Sequence, residues 1–169
     1  MRRFQLLVPL ACLALAGCFE SEDGLLLDTS HGASPLAEGD YVRDDAKGSV
    51  VKLSLQGEGW YTLVDDGETM DLFVSPLGPA DSGEYAVAAA NDGCAKTPDT
   101  CNWDYAILRV DSEQVQEIRP DCQLDWDVAE NAASRRSDEV CYFNSPEALM
   151  DALAAISAKG RIAETYRQR

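Results

Sequence analysis

Three kinds of side chain in this 169-residue chain carry reactive or ligating chemistry: one histidine, six cysteines and 30 carboxylates. A nucleophile–base hydrolase needs its base within hydrogen-bond reach of the nucleophile. His31 stands beside Gly32, Ser34 and Pro35, a linker composition, and reads as a solvated residue rather than a catalyst. There is no Gly-x-Ser-x-Gly, Walker loop, His-Glu-x-x-His or dinucleotide fingerprint. Paired carboxylates could move protons, but among 30 of them no pair stands out. No catalytic residue is assigned, and a non-enzymatic protein is expected. Calcium would be the cation of choice for clustered carboxylates. Asp121, Asp125, Asp127 and Glu130 form one candidate group, and Asp65, Asp66 and Glu68 another. The first lacks the glycine that an EF-hand loop needs at its sixth position, and turn chemistry explains the second. A calcium-binding module stands as an alternative, with no metal ligand or cofactor assigned.

The cysteines divide by position. Cys94, Cys101, Cys122 and Cys141 lie in the body of the chain, an even number that suits two disulfides in an oxidising compartment. Of the three pairings, Cys94 with Cys101 and Cys122 with Cys141 is favoured, because each closes a short loop around turn-forming residues. A zinc site would want Cys-x-x-Cys or Cys with His at short spacing, and neither occurs. Cys12 and Cys18 belong to a different segment. Met1-Arg2-Arg3 is basic, residues 4–16 are apolar apart from Gln5 and Pro9, and Glu20-Ser21-Glu22-Asp23 follows. That is a secretory signal layout, and the run falls short of the roughly 20 residues of a membrane span.

Leu15-Ala16-Gly17-Cys18 resembles the lipobox of bacterial lipoproteins. The resemblance implies cleavage before Cys18, attachment of a diacylglyceryl group to its thiol and acylation of the new amine. Three chains exceed the two that stable anchoring requires. Residues 1–17 are then a cleaved signal peptide, 18–35 a lipidated tether whose Leu25-Leu26-Leu27 could dock as an edge strand, and 36–169 the disulfide-stapled, β-rich domain. By the same resemblance, Phe19 after the lipidated cysteine implies an outer-membrane location in the cell envelope, facing the periplasm.

Loss of residues 1–17 removes Arg2 and Arg3, leaving 12 basic against 30 acidic side chains and a formal charge of −18. Such a surface is repelled by nucleic acid and by anionic headgroups, so nucleic acid is excluded as a partner; acidity serves solubility first, and where charge selects a partner that partner is a basic protein.

The elements that must position these residues are mostly strands. Period-two alternation appears over 49–56, 60–64, 69–75, 83–90, 103–111 and 113–119, with a return to the sheet at 139–143. Asp65-Asp66-Gly67-Glu68 between two alternating runs marks a hairpin. Ser145-Pro146-Glu147 opens a helix whose face is Leu149, Ala152, Leu153 and Ile156, and Gly160 ends it. Residues 161–169 are open between a strand and a helical turn. The expected fold is mainly β: an antiparallel sandwich or small barrel of about six to seven strands with a C-terminal helix.

Two further resemblances are local. Asp81-Ser82-Gly83-Glu84-Tyr85-Ala86-Val87 resembles the Asp-x-Gly-x-Tyr-x-Cys segment of immunoglobulin-like domains, with Val87 in place of the cysteine, and implies an all-β fold. Ser82-Gly83 and Tyr85 also resemble periplasmic inhibitors of lysozyme, which are lipid-anchored, acidic β-barrels, and imply a basic cell-wall hydrolase as partner. The expectation is a lipid-anchored envelope lipoprotein that binds a protein or envelope component, with hydrolase inhibition as an alternative.

Overall fold

A computed structural model describes residues 19–45, 47–79, 81–137 and 139–169. Leu15-Ala16-Gly17-Cys18 lies outside the described residues. In chain order the elements are β1 (Phe19–Ser21), β2 (Gly39–Arg43), β3 (Val50–Gly57), β4 (Trp60–Asp65), β5 (Glu68–Pro76), β6 (Glu84–Asn91), β7 (Trp103–Val110) and β8 (Val115–Ile118). Helix α1 (Trp126–Ala129), β9 (Arg135–Arg136), β10 (Cys141–Tyr142), α2 (Pro146–Lys159) and β11 (Glu164–Gln168) complete the chain.

Strands β2 to β8 run as an antiparallel meander, and β11 closes it by pairing antiparallel with both β8 and β2. The result is a closed eight-stranded barrel. Beside it, β1 pairs with the start of β7, β10 lies parallel to β1, and β9 borders β10. The strand count therefore exceeds the expected six to seven. Two of the additions are the barrel's closing strands, β2 and β11. Their five residues each leave room for only two or three inward positions, too few for a clear period.

The β4–β5 hairpin forms where the sequence demands it: Asp66 and Gly67 have φ of 49° and 86°, both positive as a type I′ turn requires. Helix α2 begins with the Ser145 Oγ accepting the Ala148 amide at 3.3 Å and ends at Gly160, whose φ is 69°. Leu149, Leu153 and Ile156 pack beneath it onto the outer barrel surface, where Phe73, Ala86, Ala88, Tyr105 and Ile107 are buried. The inner faces of the same strands bury Leu72, Val74, Val87 and Leu108. Strands β5 to β7 are thus buried on both sides, which blurs the apolar–polar alternation there.

Residues 19–35, read from composition as a tether, are largely docked. Phe19 has no exposed surface and its ring lies 4.8 Å from that of Phe143. Leu26 donates its amide to the Tyr105 hydroxyl at 2.9 Å, and Leu27 is buried. The leucines dock without forming a strand, and apolar burial holds a segment whose polar composition pointed to solvent.

The disulfides are Cys94–Cys101, with Cα atoms 5.9 Å apart, and Cys122–Cys141, at 5.4 Å. The first closes the loop between β6 and β7, which is also held by the buried Asp71 accepting the Ala95 amide at 2.8 Å. The second fastens the excursion carrying α1 to β10. Among the described residues no helix is long and apolar enough to cross a membrane.

Candidate functional site: the barrel cavity and its polar mouth

Eight strands make an interior just wide enough to be filled by side chains or to hold one small ligand. One end of this barrel is sealed by residues 33–37. Leu36 turns in, its backbone amide and carbonyl each 3.2 Å from the Tyr61 hydroxyl, while the Tyr41 hydroxyl donates to the Ala37 carbonyl at 2.9 Å. Ala33 donates its amide to Val74 O at 2.9 Å, and Gly59 donates its own to the Ser34 Oγ at 3.1 Å.

From that floor a cavity of about 70 Å³ runs toward the opposite end, lined by apolar groups including Val51, Leu53, Leu72, Val87 and Leu108. At about 10–15 Å³ per water-sized probe sphere, it has room for about five waters. Its far end is polar. Arg43 at the end of β2, Asp65 at the end of β4, Glu117 on β8 and Tyr166 on β11 all line it. Strand alternation explains why: Arg43 shares an inward face with Tyr41, Asp65 with Tyr61 and Leu63, and Glu117 with Val115.

These groups form two ion pairs joined by a ring. The Arg43 Nη2 donates to the Asp65 Oδ2 at 2.7 Å, and the side chains are 15% and 4% exposed. The Arg43 guanidinium lies 5.7 Å from the centre of the Tyr166 ring. Tyr166 donates its hydroxyl to the Glu117 Oε2 at 3.0 Å, and Arg119 donates to both Glu117 oxygens at 2.6 and 3.2 Å. Burial, with the Glu117 charge beside it, pushes the Tyr166 phenol well above the usual tyrosine range. Burial works against the charge on Arg43, but Tyr166 and Asp65 more than offset it, and its pKa is raised.

Two atoms at this mouth stand out. The Arg43 Nε and the Asp65 Oδ1 are inaccessible to solvent and meet no hydrogen-bond partner among the described residues. Buried polar atoms are paired in the great majority of cases, because an unmade bond costs about 1–3 kcal/mol. Leu63, Met70 and Tyr166 are only half-buried, so the cavity reaches the surface beside this cluster, while the two atoms themselves stay closed off within the Arg43–Asp65 pair.

The residues singled out from sequence lie elsewhere, with one exception. Asp125 is buried and fully engaged: its Oδ2 accepts from Arg161 at 2.6 Å and from the Asp121 amide at 2.9 Å, and its Oδ1 accepts from Lys159 at 3.4 Å. Asp127 also pairs with Lys159, at 2.8 Å. These carboxylates meet protein cations, and no group of three or more metal-ligating side chains is gathered among the described residues. Asp65, read as turn chemistry, is the exception, since it belongs to the cavity. Its signal was available: a charged residue on the inward parity of an otherwise apolar strand.

His31 lies in a groove between α2 and residues 26–28. Asp28 and Ser30 both approach its Nδ1, at 2.8 and 3.0 Å, while the Ser30 hydroxyl also donates to Asp28 at 2.7 Å. A nucleophilic relay needs the orienting acid and the nucleophile on different ring nitrogens. This arrangement is the capped turn Thr29–His31, with Asp28 at its N-cap. Hydrogen bonds from Ser30 chiefly, then from His31, hold the Asp28 carboxyl down to about 2. Ser82 and Gly83 sit in the β5–β6 connection, where the Gly83 carbonyl accepts the Val110 amide at 2.8 Å, and neither lines the cavity.

The fold and the site together define a closed antiparallel barrel with an internal cavity. Comparisons with protein-family models, curated proteins and solved structures find no match.

Proposed function

We propose that this protein is a non-catalytic binding barrel of the cell envelope, anchored through lipid on Cys18, and that its interior holds a small, largely apolar molecule. The observation that carries the reading is the cavity itself, apolar along its walls and polar at its far end, where Arg43, Asp65, Glu117 and Tyr166 line it. Small-molecule sites combine an apolar lining with a few polar groups that fix orientation. The signal layout and the Leu15-Ala16-Gly17-Cys18 lipobox support the envelope location, and the two disulfides suit an oxidising compartment.

Ligand-observed NMR with fragments of five to seven or so non-hydrogen atoms tests the binding. Fragments bind the native protein and lose binding in a cavity-filling Val87→Phe variant whose melting is cooperative. If no fragment binds, or if binding is indifferent to Val87→Phe, the interior is not the site. Location is tested separately: Cys18→Ser releases the folded protein from the membrane fraction, and persistence there would refute the anchor.

A further inference from the structure

Outside the barrel, the groove between α2 and residues 26–28 has a volume of about 510 Å³ and shares no lining residue with the interior cavity. Ligand clefts run from about 300 to 1,000 Å³, so this one takes a few side chains. Its floor is apolar: the half-buried Leu26, Pro76 and Met150 line it. Its rim is acidic on both sides. Asp28 stands on the docked segment, and Glu147 and Asp151 stand across from it on α2, in one stripe of the helix with Met150. All three carboxylates are exposed.

These acids have no strong cation of their own. Among the described residues no lysine or arginine forms an ion pair with any of them. His31 lines the groove too, but its Nδ1 is taken up by Asp28 and Ser30. Hydrogen bonds from Ser30 above all hold the Asp28 carboxyl down to about 2. The Glu147 amide, followed by the Ser145 hydroxyl, lowers the Glu147 carboxyl, so both stay ionised at neutral pH.

An anion is excluded twice. The rim repels it, and the one feature that would attract it, the N-terminus of α2, is already occupied: Ser145 accepts the Ala148 amide at 3.3 Å and donates to Glu147 at 2.9 Å. A bare cation would gain little, because exposed ion pairs contribute weakly and salt screens them. A plain hydrocarbon would fit the floor and gain nothing from the rim. A ligand with an apolar centre and cations on both sides uses floor and walls together. A peptide segment with leucines between lysines has that layout, and the lysine stems add apolar contact while their ammonium groups stay in water.

We propose that this groove docks a basic segment of a partner protein, with one or two apolar side chains on Leu26 and Met150 and lysine or arginine side chains against Asp28 on one wall and Glu147 and Asp151 on the other. The inference does not depend on what the barrel interior holds.

The test is fluorescence anisotropy with labelled acetyl-Lys-Lys-Leu-Leu-Lys-Lys-amide on the full protein in neutral detergent, at pH 7.5 and low salt. Two companion peptides carry serine in place of leucine or glutamine in place of lysine. The parent peptide binds at least tenfold more tightly than either. Asp28→Asn/Glu147→Gln/Asp151→Asn, near-isosteric exposed changes that keep a capping side chain at residue 28, weakens it at least tenfold. Glu68→Gln/Asp92→Asn/Glu113→Gln removes as many exposed charges away from the groove and weakens it less than about twofold. Val87→Phe, which fills the barrel, leaves it unchanged. Equal weakening by the two triple variants would reduce the binding to overall charge, and a serine peptide binding as tightly would make the floor irrelevant. Loss of binding in Val87→Phe would move the peptide into the barrel. Any of these results, or no binding of the parent peptide, overturns the inference.

Discussion

Two buried carboxylates on this barrel, each less than 5% exposed, have been given opposite surroundings. Asp125, under α2, has both oxygens occupied by Arg161, Lys159 and a backbone amide, and nothing is left to bind. Asp65, at the cavity mouth, has one oxygen on Arg43 and one with no partner among the described residues. A saturated cluster is a structural fastening: it ties the Cys122–Cys141 excursion to the end of α2. An unsaturated cluster beside a cavity carries an energetic cost that the fold has left standing. Burial alone does not separate the two; counting lone pairs does.

The comparison can be broken in order of expected effect. Asp125→Ala unfastens the excursion by removing three hydrogen bonds, and because the cations left behind are 35% and 40% exposed the expected cost is about 3 kcal/mol in denaturant unfolding. A cost under about 1 kcal/mol would mean that the fastening is decorative. Asp65→Ala leaves the buried Arg43 without its counter-charge and costs about 3 kcal/mol by the same measure. Removing both partners in Arg43→Met/Asp65→Leu is different, because no charge is stranded: stability stays within about 1 kcal/mol of the native protein or rises. A double variant as unstable as Asp65→Ala would show that the pair serves the fold.

A third carboxylate sharpens the contrast through pH. Asp104 lies opposite Glu20 across the β1–β7 pairing. Burial, and then the Glu20 charge beside it, pushes its carboxyl up to about 7 from an ordinary 3.8. Between those values the folded protein holds a proton that the unfolded chain has released, so stability falls as pH rises from about 4 to about 7 and levels off above. Melting temperature should therefore rise by several degrees on acidification from pH 8 to pH 5.5, and Asp104→Asn should flatten that slope. An unaltered slope in the variant would locate the titration elsewhere. Tyr166→Phe removes one hydrogen bond to Glu117 and costs about 1.5 kcal/mol.

How much of this could be read from sequence depends on how local each signal is. The Asp66-Gly67 turn and the Ser145-Pro146 helix start are legible because a few adjacent residues determine them. The closure of the barrel is not: Tyr166 pairs with Arg43 and with Val115, partners distant in the chain, and no short-range pattern records it. The mouth is harder still. Its ionic residues are two arginines and two acids drawn from three separate parts of a chain with 30 acids, Arg43, Asp65 and the Glu117–Arg119 pair, and although parity marks Asp65, only the fold brings it to the others. Residues 19–35 misled for the reverse reason, since Glu20, Glu22 and Asp23 hide the apolar contacts of Phe19 and Leu27.

That docked segment has a mechanical consequence. Eighteen free residues could extend about 60 Å, enough for a domain to sweep a wide volume beneath its anchor. With Phe19 locked against Phe143, one peptide unit of about 3.8 Å joins the proposed acylated residue to the barrel wall. The slack is gone. Anchored through Cys18 as proposed, such a barrel would sit close against the bilayer surface and would meet whatever diffuses along that surface rather than search the space beyond it.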